Sequence, residues 1–141
     1  MLKQNYYGLT GPQKNIWNTE LFYNNSNINS VCGTAILNEI VDFDLLKKAI
    51  NIIVEKNDAL RTRIILQNNI PVQFFSKYVP FDIEIIDVDN KNDVSKVEQE
   101  IVNKKFNILN SNLFIPKLLR FPDGTAGVIL NGHHIITDSW S

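Results

Sequence analysis

A chain of 141 residues, 44% apolar and 21% charged, has single-domain length and enough apolar content for one ordinary core. Its 14 basic and 15 acidic residues interleave to a net charge of −1, and no Lys/Arg stripe suits a polyphosphate, which argues against nucleic acid as a partner. No apolar run approaches a membrane span, and MLKQNYYGLTGPQ lacks the basic-then-apolar order of a signal peptide, so the expectation is a soluble cytoplasmic protein with no membrane partner.

In chain order, Thr10-Gly11-Pro12 opens a predicted helix, because Thr10 or Gly11 can cap it and proline fits the first turn. Ile16, Trp17, Glu20, Leu21 and Tyr23 recur at helical spacing as its mostly apolar face, and the Asn-rich NNSNINS (24–30) ends it. VCGTAIL (31–37) reads as a buried strand. Its Cys32 is the single cysteine, which excludes an internal disulfide and suits a small buried hydrophobe better than a nucleophile. Asp42 caps a second helix with Asp44 in the first turn. Phe43, Leu46, Ala49, Ile50 and Ile53 form its predicted core stripe, and Lys47, Lys48, Asn51 and Glu55 face water.

RTRIILQ and IPVQFF, joined by Asn68-Asn69, have the pattern of a β-hairpin. DIEIIDV (82–88) reads as another strand. A third helix follows Asn92-Asp93, with Val94, Val97, Ile101 and Val102 or Phe106 inward. NLFIPKLLRF and AGVILNG are two further strands, linked by the turn Pro122-Asp123-Gly124. Alternating helices and strands with interposed hairpins predict an α/β lobe: a mixed sheet covered by helices.

The chain then reads NGHHIITDSWS, and its only two histidines, His133 and His134, stand side by side. Neighbouring side chains of a strand point to opposite faces, so one imidazole packs into the scaffold while the other faces a cleft at the strand end. A neutral imidazole accepts a proton from an attacking amine or hydroxyl, as acyl transfer requires. Asp138, four residues past His134, shares a face with it if a helical turn begins there, and would orient the ring, bind a metal or pair with an arginine. Three readings stand side by side on spacing alone: a satisfied surface feature, acyl-transfer chemistry and a metal site. Metal fares worst, because two histidines and an aspartate leave the coordination sphere incomplete and no further ligands lie nearby in sequence, so none is assigned.

HHIITDSW resembles the HHxxxDG signature of the condensation domains of nonribosomal peptide synthetases, whose superfamily shares the fold of chloramphenicol acetyltransferase. Three further stretches resemble that family in order and at about its spacing. LTGPQKNIW keeps Thr10, Gln13, Ile16 and Trp17 of S-x-A-Q-x-R-L-W; EKNDALRTRI keeps Leu60, Arg61 and Thr62 of R-H-E-x-L-R-T-x-F; KFNILNSNLF keeps Phe106 and Leu113 of F-D-L-x-x-G-P-L. Ser139 stands in place of the motif's glycine, Asn15 of the usual arginine and Asn107 of the usual acid.

The resemblance implies that His134 is the general base or amine-positioning group and His133 the more structural of the pair. Asp138 would turn away from the cavity to pair with an arginine, Arg61 being the best match and Arg63, two residues on, the fallback. The implied reaction is amide formation between a thioester donor on one carrier protein's phosphopantetheine arm and the amine of an acceptor on another, with no cofactor bound directly. The resemblance further implies that residues 1–141 are the N-terminal lobe of a two-lobed domain, stopping just after the HHxxxD motif, with the C-terminal lobe missing. Alone the chain is then expected to be inactive, and to self-associate through apolar surface and sheet edge that the second lobe covers. A non-catalytic carrier-docking module, or an epimerising or ester-forming member of the superfamily, is the alternative. Cyclisation is disfavoured by His133, where that variant usually carries aspartate.

Overall fold

The computed structural model describes residues 4–23 and 26–137. The order is β1 (Tyr7–Gly8), α1 (Gly11–Phe22), β2 (Ser30–Ile40), α2 (Phe43–Lys56), β3 (Thr62–Gln67), β4 (Ile70–Phe75), β5 (Ile85–Asp87), α3 (Val94–Val102), β6 (Phe114–Arg120) and β7 (Thr125–His133), with short 3-10 turns at Asp58–Arg61 and Lys91–Asp93. The strands form two sheets. One is the antiparallel β1-β4-β3; the other, β2-β7-β6-β5, is antiparallel except for the parallel β5–β6 pair. The α/β class and the mixed pairing are as the sequence predicts, but the hairpin builds a sheet of its own.

Local chemistry accounts for the element boundaries. Thr10 and Gln13 cap α1 reciprocally, each side chain meeting the other's backbone N–H. The Asp42 carboxylate accepts from the amides of Asp44 and Leu45 at the start of α2. Asn68 and Asn69 take positive φ values of 51° and 64°, the left-handed pair that a two-residue hairpin turn demands and that asparagine tolerates. Gly124 (φ 81°) closes the β6–β7 turn, where Asp123 accepts from the amide and hydroxyl of Thr125.

The pleat of the four-stranded sheet divides the core. Leu118 of β6 and Val128 of β7 face α2, packing with Ile50 and Ile83; Leu119 and Ile129 face α3, packing with Ile101 and Val88. A third cluster joins the remaining parts, with Trp17 of α1 meeting Ile64 of β3, Phe106, Leu113 and Ile135.

Several expectations are corrected. The stretch 31–37 is not a buried strand: β2 is longer and lies at the sheet edge, so one of its faces stays open. Burial, with Glu98 nearby, pushes the half-buried Cys32 thiol up, which fits a hydrophobe and not a nucleophile. Leu21 on α1 and Tyr23 just past its end are exposed. On α2, Val54 is buried while Ile53 is 51% exposed, because the packed face runs through 43, 46, 50 and 54 at i, i+3, i+7 and i+11. Asn51, expected to face water, is half-buried beside that face, accepting from Tyr78 Oη and the amide of Phe81 and donating to the Phe81 carbonyl. Of 82–88 only Ile85–Asp87 pairs as strand. Phe106 belongs to the Trp17 cluster and not to that of α3.

Candidate functional site

The site forms where β7 ends. His133 is its last paired residue, opposite Ser30 of β2, and its amide donates to the Leu113 carbonyl at 2.8 Å. The chain then turns: Ile136 N–H donates to the His133 carbonyl at 3.0 Å, and His134 N–H to the Asn29 carbonyl at 2.7 Å. The pleat and this turn send the two rings to different surroundings, as expected of adjacent strand residues.

His133 is 1% exposed. Its Nδ1 accepts the Ile135 N–H at 3.1 Å, so in the neutral ring the proton sits on Nε2. That nitrogen lies 3.4 Å from Glu20 Oε2, an electrostatic contact and not an aligned hydrogen bond. Phe106 meets the ring edge to face at 5.7 Å. Burial pulls the imidazole below its ordinary pKa of 6.5, opposed by the Glu20 carboxylate and reinforced by neighbouring His134.

His134 is half-buried and lines a cleft of about 550 Å³ together with Thr10, Gln13, Asn15, Gln73 and Thr137. Its Nδ1 lies 2.7 Å from the Thr137 carbonyl oxygen. A carbonyl only accepts, so Nδ1 carries the hydrogen and Nε2 of the neutral ring carries the lone pair. The tautomer of His134 is thus set by backbone.

Two glutamines brace the turn. Gln13 and Gln73 form a reciprocal amide pair, at 2.8 Å and 2.9 Å. Gln13 Nε2 also donates to the Ile135 carbonyl at 3.2 Å while its Oε1 caps α1, and Gln73 Nε2 donates to the Gly8 carbonyl at 3.2 Å. One side chain thus ties the helix start, the hairpin sheet and the histidine turn together.

Arg61 lies apart from this cleft. Its Nε donates to the Val54 carbonyl at 3.1 Å, Nη1 to the Ser76 carbonyl at 3.0 Å, and Nη2 pairs with Asp58. Arg63 donates to the Thr62 carbonyl at 3.0 Å and to Asn112 Oδ1. Asp138 lies outside the described residues. Among the described residues no three His, Cys, Asp or Glu side chains are grouped to hold a metal ion, and no helix is long and apolar enough to cross a membrane.

Read along the chain, Glu20 falls within a mostly apolar stripe, and nothing singles out Gln73 or Asn29. A signal was present: Gln13, Trp17 and Glu20 fall at i, i+4 and i+7, so two polar side chains flank the inward tryptophan on one helix face.

Comparison with known proteins places this chain in a family. The family model described as "Condensation domain" matches residues 3–141. Surfactin synthase subunit 1 of Bacillus subtilis (strain 168) is 33% identical over 143 residues, covering 96% of this chain and 4% of that protein. Bacitracin synthase 3 of Bacillus licheniformis is 22% identical over 139 residues, covering 99% of this chain and 2% of that protein. Among solved structures, the starter condensation domain of rhizomide synthetase RzmA superposes with a TM-score of 0.82 at 18% identity, covering 96% of this chain and 34% of that one. The condensation domain of the monacolin K polyketide synthase MokA gives 0.80 at 14% identity, covering 92% and 30%. The chain therefore spans about a third of those solved chains and a small part of the curated synthetases. The match of the condensation-domain model over residues 3–141 makes this chain a member of the condensation-domain family.

Proposed function

We propose that the chain is the N-terminal lobe of a condensation domain that forms an amide between two carrier-bound substrates. The amine of the acceptor attacks the thioester carbonyl of the donor, the carbon–sulfur bond breaks, and the phosphopantetheine thiol leaves with a proton. His134 Nε2 takes the proton that the amine loses, or holds the amine in line; holding the reactants together supplies a large part of the rate in either case. The observation that carries this reading is the Thr137 carbonyl on His134 Nδ1, which puts the lone pair of a cleft-lining ring on Nε2, where no partner is found among the described residues. His133 serves the site from within the core.

Asp138 is proposed to lock the end of the turn by pairing with Arg61, with Arg63 as the fallback. Two observations support this. Thr137 lines a groove with Ala59 and Leu60 of the 3-10 turn, and Leu60 and Phe114 also border the adjoining cleft that holds both arginines. Arg61 then shares its guanidinium between Asp58 and Asp138, for which a five-donor fork is suited.

The test is made in a complete two-lobed domain supplied with two loaded carrier proteins. His134→Ala lowers amide formation by about 10²- to 10⁴-fold with both carriers still bound. Wild-type turnover in that variant would overturn the reading. The 141-residue chain alone is expected to release no amide product in the same assay.

A further inference from the structure

We propose that Glu20 is a positioning residue for His134, acting through Asn29 and His133 from the buried side of the turn. The path is continuous. Glu20 Oε2 accepts from Asn29 Nδ2 at 2.6 Å, and the Asn29 carbonyl accepts the His134 amide hydrogen at 2.7 Å. The same Oε2 faces His133 Nε2 at 3.4 Å, and His133 in turn holds the Ile135 N–H on Nδ1 at 3.1 Å. His134 thus stands between two backbone groups, Asn29 C=O and Ile135 N–H, each presented by a side chain that answers to one carboxylate oxygen.

The surroundings make that carboxylate effective. The Glu20 side chain is 10% exposed and that of His133 2%, so the charge acts where water screens it little. Ser26, Asn27, Ser30 and Phe106 complete the lining around the pair, and none of these titrates. Lys105 lines the neighbouring cavity with Glu20 from the outer side, and His134 is the other titratable group beside His133. A charged acceptor strengthens the bond to Asn29 and stabilises the Nε2–H form of His133. The geometry stands whatever His134 does chemically; its consequence for turnover rests on the reading above.

The experiment uses the 141-residue chain and nuclear magnetic resonance, and the only two histidines make imidazole assignment direct. Glu20→Ala should speed hydrogen exchange of the His134 amide about tenfold or more, because Asn29 loses its anchor. Glu20→Gln keeps an oxygen for Asn29, so exchange stays within about threefold, while the His133 titration moves to lower pH because the negative charge is gone. A purely packing role for Glu20 would leave that titration where it was. Unchanged exchange in a folded Glu20→Ala chain overturns the proposal, and so does an unmoved His133 titration in Glu20→Gln, which decides the matter if Glu20→Ala does not fold. An active His134→Ala domain would remove the chemical reading while leaving these exchange and titration results intact.

Discussion

His133 and His134 are adjacent in sequence and opposite in environment. On one side of the turn a buried ring sits among Phe106, Asn29 and Glu20; on the other a half-buried ring opens on a cleft edged by the Gln13–Gln73 pair. Backbone sets the proton of each ring, but with reversed polarity: an N–H leaves the proton of His133 on Nε2, and a C=O leaves the lone pair of His134 there. The pleat of one strand end is enough to divide a buried imidazole from one that lines a cleft. A chemically identical pair thus takes two tautomers from its neighbours alone.

The largest expected effect separates the rings by stability. His133→Ala removes a fully packed side chain and strands Ile135 N–H, and should cost about 3 kcal/mol in denaturant unfolding. His134→Ala, losing one bond at the cleft rim, should cost about 1 kcal/mol or less. Equal losses for both would collapse the distinction.

Next comes the bracing on the cleft side. Gln13→Ala removes the donor to Gln73 Oε1 and to the Ile135 carbonyl, while Gln73 keeps its bond to Gly8, a loss of about 1–3 kcal/mol. Gln13→Glu keeps the acceptor that caps α1 and loses the donor to Ile135, so it should fall between wild type and Gln13→Ala. Circular dichroism melts of the three chains rank them.

The smallest effect is in pH. Burial holds His133 below 6.5 in the folded chain, while the unfolded chain titrates near 6.5, so on acidification the unfolded state takes up the proton first. Stability contributed by neutral His133 is therefore present above about 6.5 and is lost as pH falls below it. The urea midpoint should drop between pH 7.5 and 5.5, and His133→Gln should flatten that dependence. A midpoint that rises with acid would reverse the sign assigned to burial.

Much of the fold was legible because its signals are short-range. Thr10 with Gln13, Asp42 with Asp44, Asn68-Asn69 and Asp123-Gly124 act over one to three residues, and the elements begin and turn where these chemistries require. Burial was less legible. Ile53 and the stretch 31–37 are apolar yet partly exposed, because exposure depends on which neighbour arrives and not on the side chain itself. A separate hairpin sheet was likewise unreadable, since β1 contributes only two residues and pairs with β4 across more than sixty positions.

The site divides along the same line. The pair of histidines, their opposite facing and the resemblance that marks His134 all follow from adjacent letters and the two-residue period of a strand. What the tertiary structure decided was the protonation pattern and its support. Thr137 C=O, Ile135 N–H, Asn29 C=O and the Glu20 carboxylate converge from three segments up to 117 positions apart. Hydrogen-bond partners and local dielectric are properties of the packed neighbourhood, and no spacing rule along a chain encodes them.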